Sequence, residues 1–188
     1  MELYVPRASF LAAWPDLLDP NFMHSVVLMC RHDANGAFGL VTNQRTEFSI
    51  GQLFPEHPVL CELEHPVHLG GPVDHQSLQV VHRLPDELEG GEPIDDDLWF
   101  GAELESLARL LAAEPERALA NVRLFLGYSG WGAGQLDGEL SGGSWVPAPL
   151  DVELVFGGES FEAWQRVVRS AGKEAEGLDR LPPDPSWN

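Results

Sequence analysis

Ser25 to Cys30 reads SVVLMC, an uninterrupted apolar run of strand length, and AFGLVT opens a second such run at Ala37. RHDANG separates them. Asp33 and the Asn35-Gly36 pair suit the positive φ of a tight hairpin, so the two runs predict an antiparallel pair near the middle of a sheet. Upstream, LLDPNF (Leu17 to Phe22) carries the Asp-Pro signature of a turn that delivers the chain into the first strand. PVHLGGPV (Pro66 to Val73) and SLQVVHRL (Ser77 to Leu84) predict two further short strands separated by a Gly-Gly-Pro turn.

The period then changes. Leu104, Leu107, Ala108 and Leu111 fall at i, i+3, i+4 and i+7, which predicts a helix from about Gly101 to Ala113 with Pro115 marking its end. NVRLFLGYS returns to strand, with Val122, Leu124 and Leu126 alternating against Phe125; a glycine-rich turn, GYSGW, then leads to a helix over GQLDGEL. DVELVF (Asp151 to Phe156) predicts another strand. Ser160 is placed to N-cap a last helix whose Phe161, Trp164 and Val168 share one stripe. With no internal repeat and no linker, residues 1–175 read as one domain and 176–188 as a loose proline-rich tail. Hairpins first and helices later predict an α+β sandwich, a mostly antiparallel or mixed sheet with helices packed against it.

Composition narrows the function classes. A chain of 188 residues can bury a sizeable core without disulfide or metal staples. Nothing approaches the run of about 18 apolar residues needed to cross a membrane. The start, MELYVPRASFLAAW, lacks the basic opening and long apolar centre of a secretory signal, which predicts a cytoplasmic protein. Net charge is −19, from 30 acidic against 11 basic residues, and argues against direct nucleic-acid binding. Seven of the acidic residues lie in RLPDELEGGEPIDDD (Arg83 to Asp97), read as a solvated loop or else a docking surface for a basic partner. Cys30 and Cys61 fit reduced thiols, Cys30 buried and Cys61 exposed enough for adventitious disulfides; a monomer or weak homodimer is expected.

The candidate chemistry is thin. GYSGW follows a strand and precedes a helix, as a nucleophile elbow does, but Trp131 stands where the elbow needs glycine and no histidine follows Ser129. Gly127, Gly130, Gly132 and Gly134 could shape an anion site at a helix start, although neither a Gly-Lys-Ser/Thr nor a G-x-G-x-x-G pattern is present. The alternative is a glycine-enabled turn with Tyr128 and Trp131 packed on the core. His65 and His68 are the closest pair of metal-ligand type, but three residues apart on a strand they should face opposite ways. His24, His32, His57, His75 and His82 are scattered singly. No catalytic residue, metal site or cofactor is assigned.

DPNFMHSVVLMCRHDANGAFGLVTNQ from Asp19, LGGPV from Leu69, LGYSGWGAGQLDGEL from Leu126, and Ser144-Trp145 occur in an order and wording that resemble the YqgE/AlgH family of bacterial proteins. The matching positions include Gly70, Gly71, Pro72, Gly127, Tyr128, Gly130, Trp131, Gly134, Gln135 and the turn from Asp19 to Phe22. The resemblance implies a single α/β domain around a sheet and supplies no catalytic residues; one branch is named for transcriptional regulation of alginate synthesis. The chain departs from the family at Gln44-Arg45, in WFGAELESL from Trp99 and in its PPDPSWN end. The expected function is a non-enzymatic regulatory or binding protein for a protein or small-molecule partner. Its candidate surface is Gly70, Gly71, Pro72, Gly127, Tyr128, Ser129, Gly130, Trp131 and Gln135. The rivals are a hydrolase of a small anionic substrate, using Ser129 or a histidine such as His24 or His75, and a regulator that acts on DNA directly.

Overall fold

Apolar residues that run without polar interruption need cover on both faces, and the first strands have it. In the computed structural model, which describes residues 5–157, 161–172 and 177, β1 (Ser9–Ala13) and the first half of β2 (Val26–Asp33) are buried throughout. Their side chains alternate between two cores: Phe10, Ala12, Val26 and Leu28 enter one, and Leu11, Ala13, Val27 and Met29 enter the other.

β2 turns into β3 (Gly36–Val41) through Ala34-Asn35, and the Asp33 carboxylate accepts the Asn35 N–H at 2.7 Å. Positive φ falls at Gly36 alone, +138°, and not at Asn35 as the sequence had suggested. An added Cβ there would stand 2.2 Å from the Trp131 carbonyl oxygen, which excludes any other residue. The chain continues through β4 (Arg45–Ser49), α1 (Ile50–Leu53) and a 3-10 turn, Leu60–Glu62. Strands β5 (Pro66–Leu69) and β6 (Val73–His82) follow, then β7 (Glu92–Asp95) and β8 (Leu98–Phe100). Thus the acidic segment is not wholly a solvated loop: its Leu88 and Ile94 are buried and Glu92–Asp95 is an edge strand.

Helix α2 (Leu104–Ala113) matches its predicted apolar face, and Pro115, instead of simply stopping it, opens a second helix, α3 (Pro115–Asn121). After β9 (Val122–Gly132) come α4 (Gln135–Ser141), β10 (Trp145–Pro149), α5 (Val152–Gly157) and α6 (Phe161–Ser170). DVELVF, expected as a strand, is therefore mostly helix α5. The Asp151 carboxylate accepts the Glu153 N–H at 3.1 Å, and Leu154 and Val155 pack inward. Ser160 and nearly all of the proline-rich tail lie outside the described residues.

The sheet order is β10-β1-β2-β3-β9-β6-β8-β7, antiparallel at every step, with β5 added parallel to β9 and antiparallel to β4. This is the expected α+β architecture with a mainly antiparallel, mixed sheet. Helices α5 and α6 cover one face, with Trp164, Val167 and Val168 against Phe10, Leu28 and Phe125. Leu136 and Leu140 of α4 meet Leu11, Val27, Met29, Trp131 and Trp145 on the other. A third core joins α1, α2 and α3 to Val67, Val80 and Leu124. Among the described residues, no helix is long and apolar enough to cross a membrane.

Candidate functional site

The two glycine motifs meet. β9 accepts β5 along one edge and β6 along the other over Leu124–Leu126, so the Gly-Gly-Pro link between β5 and β6 must cross the β9 backbone. Side chains would block that crossing. An added Cβ at Gly70 would stand 2.4 Å from the Gly127 carbonyl oxygen, and one at Gly71 2.3 Å from the Tyr128 carbonyl carbon. Gly127 (φ +67°) returns the constraint, with Gly71 and Val73 carbonyl oxygens at 2.7 Å. These glycines are buried because backbone packs on backbone.

GYSGW is consequently not a turn. Residues 127–131 are the interior of β9, paired to β3 through Ala37↔Trp131, Phe38↔Gly130 and Gly39↔Ser129; the turn is Ala133-Gly134, where Gly134 (φ +70°) precedes α4. Ser129 is fully buried and its hydroxyl donates to the Gly70 carbonyl at 3.2 Å. It holds the crossing together, and a substrate has no path to its oxygen.

Trp131 is also mostly buried. Its indole N–H donates to Glu139 Oε2 at 2.8 Å, the Trp145 N–H donates to the same oxygen at 2.7 Å, and Gln135 Nε2 donates to Glu139 Oε1 at 3.0 Å. Phe22, delivered by the Asp19 turn, stacks on Trp131 at 6.5 Å and meets Trp145 edge-on at 5.4 Å. One glutamate of α4 thus ties β9 to β10. Gln135 is exposed and its Oε1 accepts the Gly132 N–H at 3.0 Å.

Tyr128 points elsewhere. Its ring lies 5.0 Å from Phe38, which lies 5.3 Å from Phe100, and the three rings floor an open groove of about 760 Å³. Exposed Gly130 adjoins Tyr128, while Arg7, Cys30, Arg31, Gln79 and Glu92 supply the polar lining. Cys30 is the extra residue of a β-bulge, between the pairs Met29↔Gly39 and Arg31↔Phe38. Burial, then the charge of Glu92, pushes its thiol well above the usual range, so it stays protonated and a poor nucleophile. Pro72 is exposed beside Val73, which lines the groove's margin. Of the expected surface, Tyr128, Gly130 and Trp131 adjoin this groove, and Gly70, Gly71, Gly127 and Ser129 form its buried support. Sequence reading missed Phe38, Phe100, Arg7 and Arg31; a bulge marks Cys30 but has no signature in the chain.

His65 and His68, expected to face opposite ways, both bond to the β9 backbone. His65 and His68 are buried and their ring N–H groups donate to the Val122 and Leu124 carbonyls at 3.2 and 3.3 Å, so both reach toward β9. Burial lowers the His65 pKa to about 4, against the raising effect of the Val122 bond, with His68 and Arg123 adding to the fall. Buried His82 donates to Gly101 and accepts from the Leu84 N–H, and burial lowers its pKa also. His24 lies against Phe161 and Trp164 at 5.0 and 4.9 Å. Among the described residues no group of three or more His, Cys, Asp or Glu side chains could hold a metal ion.

The profile of the family described as AlgH-like matches residues 10–176. The chain belongs to the AlgH-like family. A UPF0301 protein of Chlorobaculum tepidum is 37% identical over 187 residues, covering 100% of this chain and 97% of its own. Another, from Cytophaga hutchinsonii, is 38% identical over 183 residues, 97% and 98% of the two chains. Among solved AlgH-like structures, the solution structure of AlgH from Pseudomonas aeruginosa superposes with a TM-score of 0.73 at 25% identity, covering 97% of each chain. A Corynebacterium diphtheriae protein shares the fold, with a TM-score of 0.72 at 23% identity over 95% of this chain and 93% of that one.

Proposed function

We propose that this AlgH-like chain acts by binding, as a regulatory module that receives a protein or small-molecule partner in the groove floored by Phe38, Phe100 and Tyr128. The observation that carries the reading is the groove itself: a concave site of ligand size with an aromatic floor and a few polar groups at its margin. Its chemistry supports capture over turnover. The thiol at its margin is held protonated, and the Ser129 hydroxyl behind it is buried and already bonded to Gly70.

A thermal-shift screen against a broad metabolite set tests this, since ligand at about 100 times its Kd adds roughly 2.7 kcal/mol, or about 5 to 10 °C for a domain of this size. Gly130→Val, which sets a branched side chain against the Tyr128 ring, should cancel any shift and any capture of a protein partner from lysate. A ligand or partner held equally by wild type and this variant would remove the groove from consideration.

A further inference from the structure

The rings and charges that line the groove define what it accepts. In a chain with 30 acidic and 11 basic residues, its charged lining is reversed: Arg7 and Arg31 against Glu92. Arg31 lies 3.6 Å from Asp33, both well exposed, an ion pair that water screens heavily. Arg7 stands further apart from the pattern. The other described arginines each engage a partner, such as Arg83 with Glu153 and Arg117 with Glu87, whereas the Arg7 side chain makes no ion pair or hydrogen bond among the described residues. With so many carboxylates available, an unengaged guanidinium at the mouth of a groove is a fixed-charge donor set open to an incoming anion.

Gly130 gives the second observation. Its φ is not positive, and no backbone approaches the position its Cβ would occupy. What an added Cβ would meet is the Tyr128 ring, with Cε2 at 3.2 Å. Glycine here is required by neither turn nor close backbone approach; it leaves the flank of the tyrosine ring bare. Phe38 is tilted 37° to that ring and Phe100 stands at 74° to Phe38, so a planar ligand can stack on the tyrosine and meet the two phenylalanines at an angle.

Resting on the binding role proposed above, we infer that the groove takes a small aromatic anion, its ring stacked on Tyr128 and flanked by Phe38 and Phe100, and its carboxylate or phosphate on the guanidinium groups of Arg7 and Arg31. The 760 Å³ available falls within the range of small-molecule sites and leaves ample room for such a ligand.

Titration of the uniformly 15N-labelled full chain, followed by amide chemical shifts, tests this with three probes: 1-naphthoate, neutral 1-naphthamide and aliphatic cyclohexanecarboxylate. Naphthoate should perturb Phe38, Phe100, Tyr128 and Gly130, and bind at least about tenfold more tightly than either other probe. Arg7→Gln, at an exposed position, should remove the advantage of naphthoate over naphthamide while leaving the remaining spectrum unchanged; Arg31→Gln should do so in part. Equal binding of naphthoate and naphthamide at the groove would overturn the anion assignment and leave the binding role standing. Failure of all three probes, with a protein partner still lost on Gly130→Val, would likewise overturn the ligand class alone. Probe shifts that map away from these residues and persist in Gly130→Val would overturn both.

Discussion

Gly71 lies directly against the backbone of Tyr128: with φ at +151°, its hypothetical Cβ would stand 2.3 Å from the tyrosine carbonyl carbon and 2.4 Å from its oxygen. The contact is between main chains, so no rotamer change can relieve it. Gly71→Ala should therefore cost more than about 2 kcal/mol by combined backbone strain and overpacking. Gly134→Ala is the control, since its φ of +70° is also unfavourable but nothing lies within 4 Å of its Cβ position. That change should cost about 1 kcal/mol. Urea unfolding of both variants measures the difference, and equal losses would show that the crossing at Tyr128 is not tight.

Ser129→Ala removes a buried donor to the Gly70 carbonyl. The expected loss is about 1 kcal/mol of stability, with binding at the groove unaltered. Denaturation combined with a binding isotherm separates this structural role from a chemical one, because a nucleophile would lose turnover with little loss of stability.

Glu139→Ala leaves the Trp131 and Trp145 N–H groups without their shared acceptor. Hydrogen bonds to a charged group contribute more than neutral ones, so the predicted loss is about 2 to 4 kcal/mol. Tryptophan fluorescence should shift as α4 loosens from β9 and β10. Glu139→Gln, which keeps one oxygen acceptor, should lose less.

Acid should destabilise the protein partly through His65. Its pKa is about 4 in the fold against 6.5 unfolded, so between those values the unfolded chain binds a proton that the folded chain refuses. Stability is unaffected by this group above about pH 6.5, falls as pH drops toward 4, and levels below that. The full span amounts to about 3 kcal/mol. Burial moves His82 and His24 in the same direction. Stability of wild type and His65→Gln from pH 7.5 to 4 should diverge in slope within this window, and parallel curves would contradict the assignment.

Much of the sheet was legible because its signals are local. The β2–β3 hairpin follows from two apolar runs around a turn, and α2 from four residues on one stripe. β10 was hidden by Pro147 and Pro149, yet both prolines are exposed and the strand is at the sheet edge, where a missing N–H costs little. DVELVF misled because a short apolar run with only Leu154 and Val155 deeply buried has too little length to distinguish a strand from a helix. In GYSGW the glycines suggested a turn, whereas the contacts that demand glycine at Gly127 come from Gly71 and Val73, more than fifty residues earlier. The groove was half legible: Tyr128 and Gly130 lie in the recognised motif, but Phe38, Phe100 and Arg31 join them only through sheet pairing, and Arg7 from the segment before β1.

The position of β9 also matters to a growing chain. It pairs with β3, β5 and β6, all of which leave the ribosome first. A nascent chain ending at Asn121 holds three strands awaiting one partner, and their open edges are the kind that join other chains. β9 is the strand that joins these edges, and a chain truncated before Val122 would leave them open to other molecules.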